Sequence, residues 1–435
     1  MFKTFINAFK VKDVRRKIFY VLMMLVVIRL GSQMPVPGVN TSFFANYFAN
    51  NTNEAFSFLN AFTGGGFSIF ALSITPYITS SIIIQLLTIA IPQLEEMQRD
   101  GEEGRKKMTA ITRYVTVGLA LFESVAMAVG FGRQGLLTTF NAVNVIVVVA
   151  ALTAGSAFLM WVGEQINDKG VGNGISMVLL INILSRIPQD MVTLYETFVK
   201  GKTIARGLLM WIIIAVVIIA VVVLVLILNG AERRIPVQYS KKMAGRKMVG
   251  GQSSNIPLKV NTAGVIPIIF ASSIMSFPSI ILSFVGKSDI KGIGGTLIKM
   301  LNSNNWFDKT NPVASLGLIL YIVLVVFFAY FYTSITFNPM EVADNMKKQG
   351  GFIPGIRPGK STVDYLNNLL SYIIFIGAAG LTIVAVIPFF FNGFFKANVS
   401  FGGTSLIIIA SVILETLKQI ESMMLVRNYK GFLND

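Results

Sequence analysis

The chain has 435 residues, 54% of them hydrophobic and only 13% charged, whereas soluble domains run at about 45–50% apolar and about 25% charged. So little charge cannot solvate a globule of this size, while a bilayer solvates apolar surface without charge, so the composition points to a membrane protein. The 37 Lys and Arg outnumber 21 Asp and Glu for a net charge of +16, and neither Cys nor His occurs, which excludes disulfides, thiol nucleophiles, thiolate or imidazole metal sites and His-based triads.

The amino-terminal stretch MFKTFINAFKVKDVRRK is basic and amphipathic, and it runs into an apolar segment with no small-residue cleavage site. It is expected to lie on the cytoplasmic surface rather than to be removed as a signal peptide. A span needs roughly 20 apolar residues. Spans are expected near 18–34, 75–91, 114–130, 144–163, 174–188, 209–228, 261–284, 313–334, 364–388 and 403–422. The third and fifth are the weakest, the fifth carrying Asn173, Gly174 and Asn182 and ending at Pro188.

Ahead of the second span, residues 62–73 (FTGGGFSIFALS) are apolar but too short to cross a bilayer. Irregular backbone persists at membrane depth only where protein buries it or water reaches it. A re-entrant half-helix, hinged at Gly64, Gly65 and Gly66 and broken before Pro76, satisfies that; an external loop packed on the helix ends is the alternative. Ten spans put both termini on one side. The loops on that side hold about 26 Lys and Arg, against about 10 on the other, so the positive-inside rule makes it the cytoplasm.

Two cytoplasmic loops are long, about 230–260 with AERRIPVQYSKKMAGRKM and about 335–361 with GGFIPGIRPGKST. The alternation in IPVQYS predicts a short strand or hairpin, and the turn residues and mixed charge favour ordered docking surfaces. The second span opens Thr75-Pro76-Tyr77-Ile78-Thr79-Ser80-Ser81-Ile82. The seventh carries Ile266-Pro267-Ile268-Ile269-Phe270-Ala271-Ser272-Ser273-Ile274. With a slip of one residue both read Pro, apolar, Ile, then Ser-Ser-Ile, as the second spans of two five-span halves would. An odd number of spans per half inverts the second, and inverted repeats mark transporters and channels; chance likeness between apolar segments is the competing account. No P-loop, HExxH or GxSxG is present, so an enzyme is not expected.

Six segments in chain order, SIFALSITPYITSSIIIQLLT, GVGNGISM, ERRIPVQYSKK, NTAGVIPIIFASSIM, GGFIPGIRPGKST and FGGTSLIIIA, resemble the SecY family of bacterial protein-conducting channels over nearly the whole chain. The resemblance implies an all-α polytopic membrane protein in the bacterial cytoplasmic (inner) membrane, with ten transmembrane helices in two inverted five-helix halves. Residues 1–200 and 201–435 would form a clamshell, and residues 61–73 would form a plug that includes Gly64, Gly65, Gly66, Phe67, Ile69 and Phe70. It implies an apolar pore ring of Ile78, Ile82, Leu179, Ile183, Ile269 and Ile408, although each alone also reads as ordinary helix packing. Spans two and three would face seven and eight across a lateral gate, with Ser80, Gln85, Ser272 and Ser273 as its polar residues. Arg357 matches the family's loop arginine. With Arg233, Arg234, Lys241, Lys242, Arg246 and Lys247 it would dock the SecA ATPase and the ribosome, or simply belong to solvated positive-inside loops. The implied partners are SecE, SecG, SecA, the ribosome, signal sequences and nascent chains, and membrane lipid; no cofactor is implied.

The chain departs from the family pattern in a shorter plug region, in Ser73 and Thr75 where Gly and an apolar residue are commoner, and in Leu179 where isoleucine is frequent. Glu123, Glu415, Glu421 and Arg29 lie in or near spans and are expected to pair between helices or to meet a small partner subunit. The competing function is a secondary transporter with inverted repeats, which needs coupling carboxylates beside broken helices; none sits beside the Pro-broken segments.

Overall fold

The computed structural model describes residues 9–40, 67–132, 137–185, 187–198, 200, 204–239, 242–244, 247–249, 253–285, 293–301, 306, 312–395 and 403–431. In chain order the first helices are α1 (Lys12–Ser32), α2 (Thr75–Ala90), α3 (Pro92–Arg99), α4 (Gly101–Phe131), α5 (Ala142–Lys169), α6 (Gly174–Leu184), α7 (Ile187–Phe198) and α8 (Ile204–Gly230). Four strands follow, β1 (Glu232–Tyr239), β2 (Lys242–Ala244), β3 (Lys247–Val249) and β4 (Ser253–Lys259). Then come α9 (Ile266–Val285), α10 (Ile293–Leu301), α11 (Leu316–Thr336), α12 (Pro339–Lys348), β5 (Gly351–Phe352), α13 (Lys360–Phe395) and α14 (Gly403–Gly431).

A helix occupies each of the ten segments read as spans. Among the described residues, length and apolar composition alone qualify five stretches as able to cross a membrane: Gly101–Gly130, Ala142–Lys169, Gly207–Gly230, Val313–Lys348 and Lys360–Ile387. The pair Thr75–Thr88 and Pro92–Gln98, bent by 106°, makes a sixth if it is one span, and Gly174–Leu184 and Ile266–Met275 are shorter apolar helices. The bend falls where Pro92 opens α3, since a proline removes a backbone donor and restricts the residue before it.

Two expectations need correction and a third is covered only in part. The fifth span is not one helix over 174–188. It stops at Leu184, and α7 starts at Ile187. Of the amino-terminal stretch 1–17, residues 1–8 lie outside the described residues, Phe9 and Lys10 are helical ahead of a bend at Val11, and Lys12–Lys17 form the first turns of α1, where Val14 and Ile18 are buried against Val171 and Ile420. Residues 67–74 are a run of turns rather than a half-helix; residues 61–66 lie outside the described residues.

Helix packing repeats five apolar segments later in the chain. In the first set α2 packs on α4, α4 on α5, α5 on α6, and α1 on both α5 and α6. In the second α9 packs on α11, α11 on α13, α13 on α14, and α8 on both α13 and α14. Between the two sets, α4 touches α9, while α14 touches α6 and α1.

Outside the helices, the two long loops build one body. β1 pairs antiparallel with β4, from Glu232 opposite Lys259 to Gln238 opposite Ser253, and on its other edge with β5 through Gln238–Phe352 and Tyr239–Gly351. Period-two alternation turns Ile235 and Val237 inward and leaves Arg234, Pro236 and Gln238 exposed, while Arg233, in phase with the inward pair, is exposed near the start of the strand. The inward pair joins Leu258, Met346, Ile353, Leu366, Leu370 and Ile373 in one cluster. The expected strand is therefore present, and the sheet locks both loops to the start of α13.

Candidate functional site

Asn173 caps α6, its side-chain oxygen accepting from Ile175 N at 3.1 Å and Ser176 N at 3.3 Å, which satisfies donors the first helical turn leaves open. The cap and the close approach of Gly174 to the Gly163 carbonyl of α5, where a Cβ would collide, fix which face α6 turns inward. Leu179 and Ile183, four residues apart, lie on that face.

One buried cluster contains Leu179 and Ile183 of α6 and Ile408 of α14, with Ile78 of α2 packed against it. Val265, which precedes α9, also packs there, and its carbonyl accepts from Ile269 N at 3.2 Å. Four of the six positions thus share one apolar cluster formed by helices of both packing sets. Ile82 and Ile269 are half-buried on α2 and α9.

The segment before α2 docks into the same region. Met34–Val36 and Phe67–Ile69 run antiparallel, with Val36 N donating to Phe67 O at 3.2 Å and Ile69 N to Met34 O at 3.0 Å. Phe70 belongs to the cluster of Leu179 and Ile183, and its ring stacks on Phe158 with centroids 5.9 Å apart. The ring fills the space a side chain at Gly31 would need, and the Ile69 carbonyl lies where a Cβ at Gly155 would go. Phe67 is buried in a second cluster with Val36, Ala120 and Leu152. Gly64, Gly65 and Gly66 lie outside the described residues.

Sequence reasoning left one contact unjoined here. Ser73 is fully buried with φ at +52°, and its hydroxyl accepts a hydrogen bond from Asn182 Nδ2 at 3.0 Å. Both residues had signals of their own, a Ser at a position where Gly is commoner and an Asn inside an apolar span. A second missed contact is the Arg113 Nε–Glu164 Oε1 ion pair at 2.6 Å, which ties α4 to α5.

The expected gate hydroxyls are satisfied within their own helices. Ser80 Oγ donates to Pro76 O at 2.8 Å and Ser272 Oγ to Ile268 O at 2.7 Å; Gln85 and Ser273 are exposed. Arg29 bonds to Ser32 of its own helix at 3.3 Å, Glu123 is half-buried, and Glu415 and Glu421 are exposed.

Arg357 is exposed in the turn before α13. Gly355 and Gly359 on either side take φ of +83° and +108°, a region open to glycine. Thr362 Oγ1 donates to the Arg357 carbonyl at 2.9 Å, and Ile356 packs against the β1 cluster. The backbone is thus anchored while the side chain faces outward. Arg233 and Arg234 are exposed on β1, Arg234 Nη2 lying 2.7 Å from Glu232 Oε1. Lys242 and Lys247 lie on the β2–β3 hairpin; Lys241 and Arg246 lie outside the described residues.

Residues 68–417 match the family model SecY. The protein translocase subunit SecY of Halalkalibacterium halodurans is 43% identical, with all of both chains covered, and that of Bacillus subtilis is 42% identical over the same full coverage. Two solved structures share the fold. One is of a protein conducting channel (TM-score 0.63, 18% identity, 94% of this chain and 92% of that one). The other is of Sec61 in the canine ribosome–channel complex from the endoplasmic reticulum (TM-score 0.60, 17% identity, 94% and 92%).

Proposed function

The chain belongs to the SecY family, and we propose that it is a protein-conducting translocation channel whose constriction is the apolar cluster shared by the two packing sets. The observation that carries this reading is the meeting of Ile78, Leu179, Ile183 and Ile408 in one cluster. An apolar constriction dewets and so opposes ions. It offers a passing polypeptide no hydrogen-bonding groups, so it holds no particular sequence. Ile82 and Ile269 complete the ring when α2 and α9 turn toward the axis.

The ten helices are ten spans in two inverted five-helix halves, residues 1–200 and 201–435, in the bacterial cytoplasmic membrane with both termini cytoplasmic. Support comes from the offset-of-five packing and from the excess of basic loops on the terminal side. Residues 61–73 are the plug, supported by the docking of Phe67 and Phe70 against the first half. The contact between α4 and α9 is the seam that parts as a lateral gate, through which signal sequences and nascent membrane helices reach lipid. The Arg357 turn and the β1 sheet form one cytoplasmic surface for the ribosome and the SecA motor, with SecE and SecG as further subunits. Its exposed Arg233 and Arg357 suit phosphates and carboxylates, the planar fork of arginine favouring paired contacts. A ribosomal structure among the relatives of this fold, the idle yeast Ssh1 complex bound to the 80S ribosome (TM-score 0.62, 13% identity, 95% of this chain and 89% of that one), supports the ribosomal partner.

The test is reconstitution. Purified channel in proteoliposomes should import an unfolded preprotein only with SecA and ATP. Flux of small solutes without either, and no import with both, would overturn the reading in favour of a carrier.

A further inference from the structure

Ser73 is the only non-glycine residue with positive φ among the described residues. A Cβ in the left-handed region crowds the backbone, and residues other than Gly, Asn and Asp stay there only when their surroundings hold them. Here the holding contacts can be named. Ser73 N donates to Phe70 O at 2.8 Å, and Asn182 Nδ2 donates to Ser73 Oγ at 3.0 Å, with both side chains buried. Asn182 adjoins Ile183 and lies three residues past Leu179 on α6. One hydrogen bond therefore ties the hinge between the docked segment and α2 to the helix that carries two constriction residues.

The rest of the docked segment is held less completely. Ser68 Oγ is buried with no hydrogen-bond partner, as is Ser156 Oγ beside Gly155, the glycine against which the Ile69 carbonyl packs. Buried hydroxyls without partners weaken an interface relative to its undocked, solvated state. The docked state thus combines a strained backbone, two unsatisfied hydroxyls, the two backbone hydrogen bonds to Met34 and Val36, and the side-chain tie from Asn182.

We propose that Asn182 is a positioning residue that latches residues 67–74 in the docked arrangement by stabilising the left-handed backbone of Ser73. This rests on the channel reading above for its consequence, since undocking would unseal the constriction, but the latch itself does not. When α6 moves away from the hinge the bond is lost and Ser73 relaxes to negative φ. That rotation redirects the chain preceding α2 and carries Phe67 and Phe70 out of their clusters. A glycine at the hinge would need no latch, because glycine occupies positive φ without penalty.

The chain has no native cysteine, so Ser68→Cys places a unique thiol in the docked segment. Its labelling rate by a water-soluble maleimide, in the full chain in proteoliposomes with its co-purified subunits, reads undocking. Adding Asn182→Leu should raise that rate by about tenfold, as losing a buried hydrogen bond shifts the docked population. Adding Ser73→Gly to the Asn182→Leu variant should return it to near the parent value, which a mere packing defect in α6 would not permit. Ser73→Ala, which leaves α6 untouched, should label fast while Ser73→Gly alone labels slowly. That pair decides the matter if Asn182→Leu does not fold. Unchanged labelling in both Asn182→Leu and Ser73→Ala overturns the latch, and so does fast labelling that Ser73→Gly fails to slow. Preprotein import by the parent vesicles is measured alongside; its failure would count against the channel reading and leave the labelling result to judge the latch.

Discussion

Ile408 is 3% exposed in the cluster that also buries Leu179 and Ile183, so a polar group there changes both wetting and packing. Ile408→Asn should raise the resting ion conductance of planar bilayers several-fold, because a polar constriction holds water. An amide left unpaired there would cost about 1–3 kcal/mol, and hydration of the widened waist offsets it. An unchanged resting conductance would remove Ile408 from the constriction. Arg357 is the opposite kind of residue, exposed on a backbone fixed by two positive-φ glycines. Arg357→Glu should lower SecA-dependent import at least about tenfold, since one reversed charge in a complementary interface repels its partner, while membrane insertion of the chain itself stays normal. Import at the parental rate would mean that the turn docks nothing. Neither role is legible from composition or periodicity, because an isoleucine on a helix face and an arginine in a basic loop are both commonplace. The six quoted motifs and their resemblance to a family brought these residues forward. The Ser73–Asn182 bond escaped even that, because its ends lie 109 residues apart and no local pattern pairs a turn with a mid-helix amide.

Among the elements, the helices were readable and their partners were not. Apolar runs place all ten segments. The early end of α6 has a local cause, however, in polar and conformationally awkward residues around Ser185 and Pro188 that interrupt the apolar run. The strand in the first long loop was legible from the alternation around Ile235 and Val237. Its pairing with β5 was not, since Tyr239 and Gly351 are far apart in sequence. Gly155 shows how an element is positioned by absence of a side chain, for the Ile69 backbone carbonyl occupies the space a Cβ would take. A backbone atom cannot swing aside as a flexible side chain can. Gly155→Val should therefore push the segment 67–74 off α5. Overpacking of this kind typically costs about 1–3 kcal/mol. Thiol labelling at Ser68→Cys should rise in that variant, and labelling at the parental rate would show that α5 yields instead.

At the scale of the molecule, two packing sets with the same internal contacts meet along two different seams. One joins α4 to α9. The other joins α14 to α6 and α1, where Val171 and Ile420 are buried together with Val14 and Ile18, and the Gly172 N–H donates to Gln419 Oε1. The repeat was visible in sequence only as a short likeness between α2 and α9, because lipid-facing positions accept any apolar residue and erase the rest. Packing preserves it, since helix contacts depend on where helices lie more than on which apolar residue fills a position. If the channel works as a clamshell, one seam must part and the other must hold. The α14 seam has the features of the holding one: a shared apolar cluster, a glycine at φ +89° with no room for a side chain beside Met177 and Thr416, and a backbone-to-side-chain hydrogen bond across it. Cysteines at Val171 and Ile420, joined by a short bismaleimide in a chain with no other thiols, should therefore leave preprotein import within about twofold of the uncross-linked protein, less than a 1 kcal/mol change in barrier. A collapse of import on cross-linking, reversed when a cleavable linker is cut, would show that α14 moves away from the first half during transport and that the hinge lies elsewhere.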